Sequence, residues 1–256
     1  MERRDLLKGA GLLAATAAIG AQPAGAVDTD ACGRVAEPKT FILVHGASVG
    51  AWTLTPVAEL LRRAGHRVFV PALTGLGERS HLLSREVNLT THVNDIAGIF
   101  RFENLSKVVL VGHSYGGLPV TCVADRLADK IASLVFLDCL IGEDGKTGDA
   151  ITGKTGGYQE RWDEGEAGAA VPEGAPPFMT PQPLGTFLET MHLSGAWLTV
   201  PHKTYVRFGR SPQPPLLAAY ERFKGDPAWT TKLVDAEHIY PVTNPADTAE
   251  IIEASI

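Results

Sequence analysis

The chain has 256 residues, of which 45% are hydrophobic and 20% are charged. This length and balance are typical of a globular protein with one sizeable core. The formal net charge of −6 disfavours a basic surface of the kind that binds nucleic acid or anionic membranes. We therefore expect the partner to be a small neutral or apolar molecule.

The first 26 residues read as an export signal and not as part of the fold. Arg3-Arg4 opens a twin-arginine motif, an apolar stretch covers 9–21, and Ala24-Gly25-Ala26 forms a small-residue cleavage site. The apolar stretch is too short to span a bilayer as a stable helix, so no stable membrane insertion is expected. We predict twin-arginine export of a mature protein, residues 27–256, to the periplasm or the medium.

From residue 39 onward, short β-branched runs alternate with helical patterns, as in βαβ units with a parallel sheet. In chain order, strands are predicted over 40–44, 67–71, 107–111, 132–138, 203–208 and 232–235. Helices are predicted over 55–64, around 93–100, over 114–128 and from Asn244-Pro245 onward. The sequence therefore predicts a mostly parallel sheet with helices on both faces.

The regular alternation stops at about 139–202. These 64 residues contain 11 glycines and 6 prolines, which excludes a simple strand–helix crossover. Scattered large apolar residues such as Trp162, Phe187 and Trp197 disfavour plain disorder. We predict a cap insertion over the carboxyl ends of the strands, where ligands bind in open α/β sheets. A disordered excursion is the alternative, above all over 142–177.

The strongest chemical signal is Gly112-His113-Ser114-Tyr115-Gly116, which lies between an apolar strand and a predicted helix. This context is typical of the nucleophile elbow of the α/β-hydrolase fold, in which a strained turn exposes a serine. Flanking glycines let other backbone segments approach closely. Ser114 is the candidate nucleophile, and the backbone N–H of Tyr115 is a candidate oxyanion-hole donor at the helix start.

A second signal is the strand that ends in His45-Gly46-Ala47. In the α/β-hydrolase fold, the loop after this strand supplies the other oxyanion-hole donor. We nominate the backbone N–H of Ala47, with Ser48 as a weaker option. His45 is interpreted as a packing and hydrogen-bonding residue beside the site.

A serine hydroxyl is a poor nucleophile at neutral pH unless a histidine takes its proton. Among the eight histidines, His238 lies just past the last predicted strand, where the base of this fold stands. His202 precedes a strand and His192 lies in the predicted cap. His238 is therefore the predicted base.

The triad acid is the difficult assignment, because the usual place after the next-to-last strand, 205–213, contains no carboxylate. Asp138 ends the strand that follows the nucleophile helix, which is the alternative place in this fold. A carboxylate beside so apolar a strand is costly unless it is paired, which suits a histidine partner. Asp138 is the first choice, although it could instead cap a backbone turn. Asp235 and Glu237 remain alternatives.

With these residues placed, the chain resembles the bacterial esterases related to plant methylesterases and hydroxynitrile lyases. The resemblance is carried by 45–52 (His-Gly-Ala-Ser-Val-Gly-Ala-Trp), 71–79 (Pro-Ala-Leu-Thr-Gly-Leu-Gly-Glu-Arg) and 112–117, and it continues through Thr180-Pro181 to His238. It implies a cofactor-free Ser-His-Asp hydrolase of small carboxylic esters, often with aryl or bulky apolar groups.

Two departures from this group bear on function. Family members usually carry the acid where this chain has Arg210-Ser211, so the identity of the acid stays open. Lyases of the group use a lysine near the catalytic histidine, whereas Ile239-Tyr240-Pro241 follows His238 here. Lyase activity is therefore disfavoured.

The leading hypothesis is ester hydrolysis through an acyl-enzyme on Ser114. A lactonase or thioesterase with the same residues is an alternative, as is a binding homologue without turnover. We expect no metal or cofactor, and the oligomeric state is not predicted. Cys122 and Cys139 are interpreted as small buried hydrophobes, with a bridge between them left open.

Overall fold

The computed structural model describes residues 37–153, 157–171, 173–176 and 178–256, so the predicted export signal and Cys32 lie outside the described residues. The six main strands are β1 (Thr40–Val44), β2 (Arg67–Phe69), β3 (Val108–His113), β4 (Ile131–Leu137), β7 (His202–Phe208) and β8 (Thr230–Val234). They form one parallel sheet in the order β2-β1-β3-β4-β7-β8. A separate antiparallel ladder joins β5 (Gly168–Ala169) to β6 (Gln182–Pro183). The bounds of the six predicted strands are met to within two residues.

The helices connect these strands along the chain. They are α1 (Thr55–Arg63), α2 (Leu89–Phe102), α3 (Gly117–Arg126), α4 (Gly148–Thr152), α5 (Gly157–Asp163), α6 (Gly185–Leu188), α7 (Pro214–Phe223), α8 (Tyr240–Thr243) and α9 (Pro245–Glu253). Short 3-10 helices occupy Ala51–Thr53, Gly77–Leu82, Ser114–Gly116, Ala128–Lys130 and Ala196–Thr199. The sequence patterns assign no helix to α7. Within the described ranges, every helix is too short or too polar to cross a membrane.

The sheet is buried on both faces by helices. Successive side chains of a strand point to opposite sides, so each strand contributes to two cores. In β3, Val108 and Leu110 join a core with residues of α2, α3 and α7. Val109 and Val111 join a second core with residues of α1 and α9. Helices on both faces of a parallel sheet confirm the predicted fold class.

The register of the sheet brings three sequence positions to one edge. His113 pairs with Leu137 across β3 and β4, and Leu137 pairs with Val206 across β4 and β7. The residues that follow these three are Ser114, Asp138 and Arg207. Parallel pairing therefore places a hydroxyl, a carboxylate and a guanidinium side by side at the carboxyl ends of the strands.

Residues 139–201, here called the β4–β7 segment, replace a simple crossover between those strands. They contain α4, α5, α6 and the β5–β6 ladder. The segment is tied to the loop after β1, because the Ser48 amide donates to Gln182 Oε1 at 2.9 Å and the Thr180 amide donates to the Ser48 carbonyl at 2.9 Å. Ser48 has a left-handed backbone with φ of 59° and thus acts as a turn residue.

Candidate active site

Ser114 lies in a tight turn between β3 and α3, with its φ of 56° in the left-handed region. Such a conformation costs on the order of 1–3 kcal/mol in a residue with a side chain. The turn is closely packed: a Cβ on Gly116 would lie 2.6 Å from the Val44 carbonyl oxygen, and one on Gly117 would lie 2.0 Å from that of Leu140. The glycines after Ser114 are therefore required by the approach of two neighbouring backbones.

His238 reaches Ser114 from the loop between β8 and α8. Its Nε2 lies 2.8 Å from Ser114 Oγ. The backbone of this loop is held by His113, whose Nε2 donates to the His238 carbonyl oxygen at 2.9 Å. Burial lowers the pKa of His113 to about 3, so this ring stays neutral. The residue next to the nucleophile thus holds the main chain of the histidine.

Asp138 completes the contact chain from the end of β4. Its Oδ2 lies 2.7 Å from His238 Nδ1, and its side chain is fully buried. A carboxylate at this distance accepts a hydrogen bond from Nδ1–H, so the proton of the neutral ring stays on Nδ1. Nε2 is then free to accept the proton of the Ser114 hydroxyl. Burial by itself raises the pKa of Asp138, but hydrogen bonds and charge from His238 and Arg207 outweigh it and hold that pKa below 3.8.

The other two carboxylates considered from the sequence stand outside this chain of contacts. The Asp235 side chain is 88% exposed and that of Glu237 is 62% exposed. Both lie near Arg210 Nε, at 3.4 Å and 3.8 Å respectively. The structure therefore brings Asp138 to His238, and it leaves Asp235 and Glu237 at the surface.

The two nominated oxyanion donors lie on the same cavity as Ser114. Within the described ranges, no acceptor is bonded to the Ala47 amide. The loop before Ala47 is fixed by His45, whose Nδ1 donates to the Gly46 carbonyl at 2.9 Å and whose Nε2 accepts from the Leu73 amide at 3.2 Å. Burial lowers the pKa of His45, so it serves as the neutral hydrogen-bonding residue expected from the sequence.

The cavity beside Ser114 measures about 380 Å³. Its lining residues are Ala47, Ser114, Tyr115, Leu140, Thr152, Tyr158, Phe187, Pro212, Gln213, Pro214 and Pro215. The rings of Tyr158 and Phe187 stack at 4.7 Å with an interplanar angle of 4°. Phe187 also lies 5.2 Å from the ring of Tyr115. Aromatic and proline side chains make this cavity suited to a flat apolar group.

Tyr115 is anchored by a buried polar chain that the sequence patterns missed. Its hydroxyl lies 2.9 Å from His92 Nδ1, and His92 Nε2 lies 2.8 Å from the Thr74 carbonyl. Because the carbonyl can only accept, Nε2 carries the proton and Nδ1 accepts from Tyr115. Burial lowers the pKa of His92 to about 4, in keeping with a neutral ring.

Arg207 is the second site residue missed from the sequence. It is buried in β7 and pairs with Asp138 Oδ1. The available signal was an arginine inside the otherwise uncharged strand end Tyr205-Val206-Arg207-Phe208.

The remaining sequence candidates lie apart from this chain of contacts. His202 is exposed at the amino end of β7, and His192 is exposed in the β4–β7 segment. Cys122 and Cys139 are buried free thiols, which confirms their interpretation as small buried groups. Across the described part of the chain, no group of three or more His, Cys, Asp or Glu side chains could hold a metal ion.

Comparison with known proteins gives matches over most of the chain. A model of the alpha/beta hydrolase family matches residues 41–251. The chain is 34% identical over 237 residues to a carbendazim hydrolyzing esterase of Nocardioides sp. (strain SG-4G), covering 84% of this chain and 98% of that protein. It is 37% identical over 98 residues to methylesterase 8 of Arabidopsis thaliana, covering 38% of this chain and 36% of that protein.

Two solved structures share the fold. An extracellular alpha/beta-hydrolase from a Paenibacillus species superposes with a TM-score of 0.72 at 21% identity, covering 85% of this chain and 99% of that one. A pyrethroid hydrolase from Sphingobium faniae JZ-2 gives a TM-score of 0.64 at 22% identity, covering 85% and 96%. With the family match over 41–251, these findings confirm the resemblance noted in the sequence. The chain belongs to the alpha/beta hydrolase family and is a carboxylesterase-type hydrolase related to the methylesterases.

Proposed function

We propose that Ser114, His238 and Asp138 form the catalytic triad of this ester hydrolase. The observation that carries the proposal is the unbroken chain of contacts from Ser114 Oγ through His238 Nε2 and Nδ1 to Asp138 Oδ2, at 2.8 Å and 2.7 Å. In this arrangement Asp138 fixes the tautomer of His238 and stabilises the imidazolium that forms during catalysis.

The reaction proceeds in two halves through an acyl-enzyme. His238 takes the Ser114 proton as the hydroxyl oxygen attacks the ester carbonyl carbon, and it returns that proton to the departing alkoxide. The new ester on Ser114 is then attacked by water, whose proton passes to His238 and then to the Ser114 oxygen as the carboxylic acid leaves. The amides of Ala47 and Tyr115 donate to the oxyanion of each tetrahedral intermediate.

The substrates we propose are small esters that carry an aryl or other apolar group. The stacked rings of Tyr158 and Phe187 support this choice, since aromatic rings favour flat apolar partners. The cavity of about 380 Å³ limits the bound group to a small molecule. Lactones and thioesters could use the same residues, so they belong in the same test.

The test compares wild type with Ser114→Ala on a panel of p-nitrophenyl esters, phenyl esters, lactones and thioesters. Carbendazim is included because the 34% identical relative is a carbendazim hydrolyzing esterase. We expect wild type to hydrolyse the aryl esters fastest and Ser114→Ala to lose that turnover. Equal turnover by both proteins contradicts the role of Ser114.

A fluorophosphonate probe gives a second readout that needs no substrate. We expect the probe to label wild type at Ser114 and to leave Ser114→Ala unlabelled. Ligand binding by wild type without labelling or turnover would instead support a binding homologue.

We also propose export of the chain by the twin-arginine route. The support is the order of Arg3-Arg4, the apolar stretch 9–21 and the cleavage site Ala24-Gly25-Ala26. In a bacterium with a twin-arginine translocase, a chain expressed with residues 1–26 should accumulate outside the cytoplasm in a processed form whose amino terminus lies near Val27. Replacing both arginines by lysine should retain it in the cytoplasm at full length, and equal export of that variant contradicts the proposal.

A further inference from the structure

The Asp138 carboxylate is held by β7 as well as by His238. The Arg207 guanidinium pairs with Asp138 Oδ1, and the Phe208 amide lies 3.3 Å from the same oxygen. Oδ2 is left to His238. Because each oxygen has its own donors, rotation of the carboxylate about its Cβ–Cγ bond would break three interactions together.

Arg207 is itself fixed by the turn that follows β7. Its guanidinium donates to the Phe208 carbonyl at 2.7 Å and to the Ser211 carbonyl at 2.5 Å. The side chain is 4% exposed, and the whole contact lies within the protein. Planar arginine with several fixed donors suits such a site better than lysine, whose ammonium is a single point charge.

The charge of Arg207 meets a carboxylate that has no other permanent positive neighbour among the described residues. Around Asp138 stand His238 from the loop after β8, His113 from β3, Tyr205 and Arg207 from β7, and Cys139 beside it. Burial lowers the pKa of His113 to about 3, and it raises the pKa values of Tyr205 and Cys139, so these three stay neutral. Arg207 therefore balances the charge of Asp138 throughout the neutral pH range.

We propose that Arg207 is a positioning residue of the hydrolase, which orients Asp138 toward His238 and balances its charge in the core. The inference rests on the triad proposed above. It also explains why an acid at the end of β4 can work in a chain with no carboxylate over 205–213: β7 supplies a cation that holds the acid of its neighbour strand.

A buried ion pair could also serve stability alone, and removal of one partner commonly destabilises a protein by about 3–5 kcal/mol. The test therefore separates catalysis from folding with a double-mutant cycle of Arg207→Gln and Asp138→Asn. In the double variant both charges are gone, so no unpaired ion remains in the core. Melting temperature is recorded for all four proteins, and kcat/KM for a p-nitrophenyl ester is measured at pH 8.

In the wild-type background, Arg207→Gln should lower kcat/KM by about 10²-fold, the scale expected when a reacting group is misplaced by about 1 Å. In the Asp138→Asn background the same change should alter kcat/KM by less than about threefold, because Arg207 acts through Asp138. Equal losses in both backgrounds overturn the inference.

The pH profile provides a readout that a purely structural role would not move. An opposite charge favours the ionised form of a carboxylate, so loss of the guanidinium makes the Asp138–His238 pair hold a proton more tightly. The acid limb of kcat/KM should therefore move up by about one pH unit in Arg207→Gln. It should stay near the wild-type position in Arg207→Lys, which keeps the charge but loses the fork of donors.

Arg67→Gln is the matched control, because Arg67 of β2 forms an exposed ion pair with Glu103, the residue that follows α2. It should leave rate and pH profile unchanged. An unchanged pH profile in Arg207→Gln overturns the inference. In that case the triad proposal still stands, provided that the wild-type protein turns over esters and is labelled at Ser114. Wild type without turnover or labelling would remove the triad proposal itself.

Discussion

The sheet edge formed by the carboxyl ends of the strands lies on one side of the cavity, and the β4–β7 segment lies on another. The two sides are built differently. At the sheet edge, Ser114 and Asp138 have left-handed backbones. Neighbouring backbones pack closely against the Ser114 turn, and Arg207 and His238 bond the Asp138 carboxylate. On the other side, Tyr158 and Phe187 come from the short helices α5 and α6 and meet through ring stacking. The sheet edge therefore fixes the reacting groups, whereas the β4–β7 segment shapes the part of the cavity next to them.

Substitutions at the sheet edge should lower kcat for every ester, because each substrate uses the same proton transfers. Substitutions in the β4–β7 segment should change the preference between esters, because they alter contacts with the bound group.

The largest effect is expected for Asp138→Asn, which keeps the shape of the side chain but removes its charge. Turnover of every ester should fall by about 10⁴-fold, as it does when the acid of a comparable triad is replaced. The matched controls are Asp235→Asn and Glu237→Gln, two exposed carboxylates near His238 in sequence. They should stay within about twofold of wild type. Near-normal turnover by Asp138→Asn would remove Asp138 from the mechanism.

The next effect concerns acid stability at His92, the buried histidine of α2 that bonds the Tyr115 hydroxyl beside the sheet edge. The pKa of His92 is about 4 in the folded protein against an ordinary value of 6.5, because the ring is buried. As the pH falls below 6.5, the unfolded chain binds the proton first, so the folded state loses stability between pH 6.5 and about 4. The loss approaches about 1.4 kcal/mol per pH unit for this group.

Urea unfolding at pH 7, 6 and 5 measures that loss. His92→Gln should show a shallower fall in the free energy of unfolding than wild type, since glutamine does not titrate. The control is His192→Gln, an exposed histidine in the β4–β7 segment. The same slope in His92→Gln and wild type would show that His92 takes no part in acid destabilisation.

The smallest effect is expected in the β4–β7 segment. Tyr158→Ala removes one ring of the stacked pair and should lower the preference for phenyl over alkyl acyl groups by about tenfold, the scale of one aromatic pair. The catalytic rate on the smallest alkyl ester should change little. Phe102→Ala is the control, because that ring is 82% exposed on α2. An unchanged preference in Tyr158→Ala would mean that this ring does not contact the substrate.

The fold could be predicted because its signals are local in the sequence. Apolar β-branched runs marked the strands, and the Gly-x-Ser-x-Gly turn marked the β3–α3 junction. Helix α7 was missed because Ser211-Pro212-Gln213-Pro214-Pro215 reads as a turn. A proline in the first turn is also a helix-start signal, and Pro214 begins α7.

Individual site residues could be predicted from the sequence only where their order along the chain implies their place in the fold. Chain order singled out His238, and the end of β4 singled out Asp138; their catalytic roles stay predictions that the geometry supports. Arg207 could not be assigned, because its partner Asp138 lies 69 positions away and the contact depends on the β4–β7 register. The pairing of Tyr158 with Phe187 depends likewise on how short helices pack, which their own sequences do not determine.

If the acyl group of the substrate passes through Ser114, it can be trapped there as a covalent intermediate. Wild type would be mixed with p-nitrophenyl trimethylacetate, whose bulky acyl group is hydrolysed slowly, then quenched in acid and examined by mass spectrometry. We predict one added trimethylacetyl group per chain, on the peptide that contains Ser114, and none in Ser114→Ala. Turnover without an acyl group on Ser114, or an adduct on another residue that accounts for turnover, would contradict the proposed mechanism.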